Sequence, residues 1–150
     1  MAETELVIYA ATSAGVCAAV AAAEAGVQVM LIEPGRHVGG MTSGGLGYTD
    51  MGDARVVGGF AGRLRRDIAD HYGVSPGAYA GPEPHVAERI YLRWLEEAGV
   101  RVVFGEPLRE VTMTGTTIDA VVTASGSRFA AGLFIDASYE GDLLALAGVP

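Results

Sequence analysis

The stretch from Leu6 to Gly47, LVIYAATSAGVCAAVAAAEAGVQVMLIEPGRHVGGMTSGGLG, decides the fold. Leu6-Val7-Ile8-Tyr9 is too short for a helix and reads as a strand covered on both faces. Ala10-Ala11-Thr12-Ser13-Ala14-Gly15 then fills the frame G-x-G-x-x-G, although only its last glycine is present. From Ser13 to Ala25 the chain is almost entirely Ala, Val, Cys and Gly, which lets a helix lie close to a sheet, and Gly26 supplies a stop. Val27 to Ile32 is a second buried strand, with Glu33 at its carboxyl end, 18 positions beyond Gly15. Strand, tight turn, small-residue helix, strand and terminal acid follow in the order of a dinucleotide-binding βαβ unit.

Each residue type answers a physical demand. A diphosphate is held by unpaired N–H groups at a helix N-terminus, where the dipole also favours negative charge. The turn must therefore bring backbone close to the phosphates, and small residues at 10 to 15 permit this. Glu33 accepts hydrogen bonds from ribose hydroxyls and repels a 2′-phosphate, which disfavours an NADP-type ligand. An imperfect glycine frame alone is a weak signal, but the ordered combination is a strong one.

Three further segments carry a resemblance. Glu33 to Gly47, EPGRHVGGMTSGGLG, is similar to the segment after the second strand in FAD-dependent oxidoreductases of the glutathione-reductase-like flavoproteins, in particular to the family with a "GATSAG" turn and a "GGMTSGGLG" run. Phe134 to Leu143, FIDASYEGDL, resembles that family's "IDATYEGDL", and Glu83 to Glu88, EPHVAE, resembles one of its helix starts. The likeness is collinear over the whole chain. It implies FAD as cofactor, with residues 10 to 15 on the diphosphate and Glu33 on the adenosine ribose. It also implies that Pro34, Arg36, Gly39, Gly40, Met41 and Thr42 run beside the diphosphate and ribityl chain toward the flavin. Backbone near Leu108 is implied against adenine, and Asp136 and Ala137 beside the phosphate end. The sequence departs from the pattern at Ala10, where a first glycine is usual, and at Ser138, where threonine is usual. If position 10 needs a left-handed backbone, its Cβ costs roughly 1 to 2 kcal/mol.

With 150 residues, half of them hydrophobic, the chain reads as about one α/β domain with a buried core. A net charge of −8 argues against nucleic acid. All ten basic residues are Arg, which excludes a Schiff-base or P-loop lysine. Cys17 is the only cysteine, so no disulfide forms within the chain, and its place in the small-residue helix reads as a packed thiol. The opening Met1-Ala2-Glu3-Thr4-Glu5 is acidic where a signal peptide is basic, and no run reaches the length of a membrane span, so a cytoplasmic protein is expected.

Residues 48 to 59 read as a loop, in which Tyr48 and Asp50 follow the glycine-rich run. Phe60, Leu64, Ile68 and Tyr72 recur every four residues, as in an amphipathic helix stopped by Gly73; Arg63, Arg65 and Arg66 are expected on its solvated side. After a Pro- and Gly-rich loop at 75 to 84, a helix over about 83 to 98 presents Val86, Ile90, Tyr91, Trp94 and Leu95 on one face. The H-x-x-E spacing of His85 and Glu88 lacks a cysteine partner and is not read as a metal site. Val100 to Phe104 is a third buried strand, and 108–114, 117–124 and 128–135 suggest an antiparallel meander whose last strand runs on into the main sheet.

The expected fold is therefore Rossmann-like α/β: a mostly parallel sheet, flanking helices and an antiparallel β-meander. The expected function is that of an FAD-binding domain, residues 1–150, in a longer flavin-dependent oxidoreductase acting by hydride transfer at flavin N5 on a small molecule the sequence does not name. A non-catalytic nucleotide-binding module, or a fragment needing a partner chain, is the first alternative; an NAD-binding Rossmann domain is the second, disfavoured by the run from Gly39 to Gly47. Tyr48, Asp50, His85 and Tyr139 are acid or base candidates, none of them singled out. A sheet edge left open by further segments would favour self-association.

Overall fold

A short apolar run forms the centre of the sheet. In the computed structural model, which describes residues 4–49, 52–76 and 81–149, β1 (Thr4–Tyr9) lies between two parallel neighbours, β2 (Val29–Glu33) and β6 (Arg128–Asp136). Leu6, Val7, Ile8 and Tyr9 are all buried, which is why that run does not alternate with polar residues. β3 (Arg101–Phe104) adds in parallel to β2, and β4 (Leu108–Thr114), β5 (Thr117–Thr123) and β6 form the meander, giving the order β3-β2-β1-β6-β5-β4. β6 serves both halves: residues 128 to 130 pair antiparallel with β5, and residues 131 to 136 pair parallel with β1.

The two faces of the sheet have different cover. Leu6, Ile8 and Leu31 pack under Val16, Ala19 and Val20 of α1 (Ser13–Glu24) and under Val86, Tyr91, Trp94 and Leu95 of α3 (Pro84–Glu97). The face of α1 toward the sheet holds nothing larger than valine, so the helix sits close to β1 and β2. On the opposite face Val7, Tyr9 and Ile32 meet Val121 of β5 and Leu143 of the short α4 (Asp142–Leu146). Pro84 opens α3, and Gly73 closes α2 (Gly59–Tyr72) in a left-handed conformation, as the sequence signals predict.

Trp94 is the hub of the helical layer. Its indole N–H donates to Asp67 Oδ2 at 2.7 Å, and its ring meets Tyr91 edge-on with centroids 5.5 Å apart. The expectation of a solvated Arg63 is corrected: its guanidinium lies 4.5 Å from the Trp94 ring centroid and bridges Glu24 of α1 at 3.2 Å and Glu97 of α3 at 3.5 Å. Long arginine stems cover apolar surface while the charged head reaches outward, which a helical periodicity does not reveal. Among the described residues, no helix is long and apolar enough to cross a membrane.

Candidate functional site

The carboxyl ends of β1, β2 and β6 converge on the N-terminus of α1. β1 ends into Ala10, whose φ of +72° is the only left-handed non-glycine backbone among the described residues. The chain then enters α1 through Thr12, an N-cap whose Oγ1 accepts the Gly15 N–H at 3.2 Å and donates to Ala137 O at 2.8 Å. Gly15 is obligatory here, since a Cβ would sit 2.0 Å from Ala10 O. The first turn of a helix leaves its N–H groups without intrahelical partners. Thr12 takes those of Gly15 and Val16, whereas those of Ser13 and Ala14 meet no backbone acceptor among the described residues.

Glu33 stands at this mouth. Its Oε2 accepts the Ala11 N–H and its Oε1 the Gly35 N–H, both at 2.7 Å. The carboxylate that ends β2 is thus held against the turn that ends β1. A carboxylate has about four lone-pair sites, so two backbone donors leave capacity for a sugar diol.

The glycine-rich segment closes the other side. Gly39 N–H donates to Ala11 O at 2.7 Å, and residues 12 and 39 form an isolated parallel bridge. The Ser13 hydroxyl donates to Gly39 O at 2.9 Å, so the hydroxyls of Thr42 (2.9 Å) and Tyr91 (3.0 Å) both donate to Ser13 Oγ. Burial pushes the Tyr91 phenol up, only partly offset by its bond to Ser13, which keeps it a proton donor. Gly39 has φ +97°, and a Cβ there would lie 2.6 Å from the Tyr91 ring. The Ser43 hydroxyl donates to Val38 O, and Met41 N–H donates to the Tyr139 hydroxyl at 2.7 Å.

The structure therefore brings Ala10 to Gly15, Glu33, Gly39 to Thr42 and Ala137 together, and Pro34 follows directly from Glu33. Arg36 is exposed and has no ion-pair partner among the described residues. Asp136 points its carboxylate into its own turn: Oδ1 accepts the Ser138 N–H and O–H, and Oδ2 accepts the Leu144 N–H. Burial raises this carboxyl, but the donors from Ser138, Leu144 and Leu143 outweigh it and hold it below the ordinary aspartate range. Leu108 N–H is engaged by the Tyr9 hydroxyl at 3.0 Å, so that amide is not open to a base. Tyr48 is 80% exposed, and Asp50 lies outside the described residues.

Two features were missed in the sequence. Helical periodicity shows Tyr91 only as an apolar face residue, because its hydroxyl partner lies 78 positions away. His37 Nδ1 lies 2.9 Å from Glu88 Oε1, tying the glycine-rich segment to α3. A separate hollow of about 470 Å³ lies between α2 and α3, with walls that include Asp67, His71, Arg89 and Arg93. It shares no residue with the convergence at α1, and Asp67 and Arg93 are already paired at 2.6 Å.

Residues 5–150 match the family model described as FAD dependent oxidoreductase. No curated protein matches the sequence. L-proline dehydrogenase from P. horikoshii superposes with a TM-score of 0.70 at 15% identity, over 98% of this chain and 56% of that one. THI4 from Thermovibrio ammonificans gives 0.65 at 18% identity, over 99% and 64%. Thioredoxin reductase from Lactococcus lactis gives 0.59 at 18%, over 89% and 35%. At such identities the likeness is one of fold, and the chain spans less than two thirds of each of these neighbours.

Proposed function

Because the chain belongs to the FAD dependent oxidoreductase family, we propose that residues 1–150 are the FAD-binding domain of a longer flavoenzyme of glutathione-reductase-like type. Bound FAD supplies hydride chemistry at N5 toward a substrate carbon. The residues present fit that group. The open N–H groups of Ser13 and Ala14 receive the diphosphate with help from the dipole of α1, and glycine at 15 keeps the turn tight enough for that approach. Glu33 would accept hydrogen bonds from the ribose hydroxyls, and Arg36, exposed and without an ion-pair partner among the described residues, would offer positive charge to the phosphates. The segment from Gly39 to Thr42 orients the remainder of the cofactor.

The observation that carries this reading is the 2.7 Å contact of Glu33 Oε2 with Ala11 N, which unites the sugar-reading acid with the phosphate-reading turn. The test is titration of the purified chain with FAD, followed by quenching of flavin fluorescence, with NAD as competitor. FAD should bind, NAD should not displace it, and Glu33→Ala should weaken FAD by ten-fold or more. Nicotinamide binding without flavin binding would overturn the proposal. The substrate is a small molecule reached by groups outside these residues, and the open part of β6 favours self-association of the isolated domain.

A further inference from the structure

Tyr139 is more than half exposed, yet its hydroxyl is fixed: it accepts Met41 N–H at 2.7 Å across 98 positions of sequence. The phenol lies directly over Gly40, where a Cβ would stand 2.2 Å from the Tyr139 oxygen and 3.2 Å from Thr12 Cα. Gly40 also has φ +55°, so both backbone and space exclude a side chain there. Gly40 thus lies between the Tyr139 oxygen and Thr12, the N-cap of α1. A hydroxyl has one proton and two lone pairs. Met41 satisfies a lone pair, and among the described residues no acceptor takes the proton. That donor stands one glycine away from the N-cap of α1.

We propose that Tyr139 is a cofactor-positioning residue: it clasps the Gly39–Thr42 segment through Met41 N–H and gives its own O–H to a phosphate oxygen of the dinucleotide. This rests on the FAD reading above. It assigns Tyr139 a binding role rather than one as acid or base. The hydroxyl reinforces the amides of α1, because hydrogen bonds to charged oxygens are the stronger kind.

The test compares the parent chain with Tyr139→Phe, which keeps the ring and removes the donor, by calorimetric titration with FAD, ADP and adenosine. FAD and ADP should each bind at least ten-fold more weakly to the variant, while adenosine affinity changes less than two-fold and the melting temperature stays within about 2 °C. The Met41 amide should exchange its hydrogen faster in the variant. FAD binding within two-fold of the parent overturns the proposal, as does equal weakening of all three ligands, which would mark general loosening. A parent that binds neither FAD nor ADP overturns the flavin reading itself and this inference with it; a parent that binds FAD beside an equally competent variant overturns only this one.

Discussion

At position 10 the cost of a side chain is visible in a single dihedral angle. Ala10 holds φ +72°, where a Cβ costs roughly 1 to 2 kcal/mol. Glycine relieves that strain, but its unfolded chain is freer by about 0.4 to 1 kcal/mol, and one buried methyl group is lost at about 0.8 kcal/mol. These contributions nearly cancel. Ala10→Gly should therefore unfold in urea within about 1 kcal/mol of the parent and bind FAD equally or more tightly; a clear loss of FAD affinity would mean that the turn is not the phosphate cradle. Asp136 supplies a pH dependence. Its folded carboxyl titrates below the unfolded value of about 3.9. Its contribution is thus fully present above about pH 4 and disappears as the pH falls through the lower folded value. Denaturation at a series of pH values from 2 to 5 should show a shallower acid loss in Asp136→Asn than in the parent. The frame at 10 to 15 and the acid at 33 were legible because local geometry dictates their residue types. The hydroxyls of Tyr91 and Tyr139 were not, because their partners come from distant segments.

The helices and strands themselves were nearly all legible, since glycine stops, a proline start and switches of hydrophobic period are local signals. Gly73 and Pro84 bound their helices as expected, and the turns at Gly115 and at 125–126 separate the meander strands. What periodicity concealed was how elements are tied to one another. Arg63 lies off the apolar stripe of α2, yet it is the residue that connects α1, α2 and α3 through Glu24, Trp94 and Glu97. Its two ion pairs are partly exposed and contribute about 0 to 1 kcal/mol each, and the cation over the indole adds about 0.5 to 1 kcal/mol. Arg63→Ala should cost about 1 to 2 kcal/mol, lowering the melting temperature by about 2 to 8 °C for a domain of this size. Arg63→Met keeps the stem over Trp94 and should recover part of that loss. Equal melting of parent and Arg63→Ala would show that the bridge contributes nothing.

Across the whole molecule the sheet is asymmetric. Among the described residues β6 changes partner along its length: β5 pairs with residues 128 to 130 and β1 with residues 131 to 136, so from Ala131 to Asp136 no second strand lies on the edge away from β1. Leu133 and Ile135 share the register of Leu6 and Ile8 and so face the helical layer, but neither α1 nor α3 extends over them. Leu133 is 67% exposed and Ile135 37%. Unpaired amides beside an apolar strip form a template for another strand. The sequence hinted at such an edge only through the segments its resemblance leads one to expect; which strand stays open is a matter of topology, visible once β6 is seen to change partners midway. The isolated domain should therefore associate as concentration rises. Leu133→Glu places a like charge on both copies of an already acidic surface and, at so exposed a position, should change stability by less than about 0.5 kcal/mol. Light scattering over a concentration series should show a mass that climbs for the parent and stays at the monomer value for Leu133→Glu. A parent that remains monomeric throughout would mean that the twist of the sheet, or the short α4 beside it, already protects this edge.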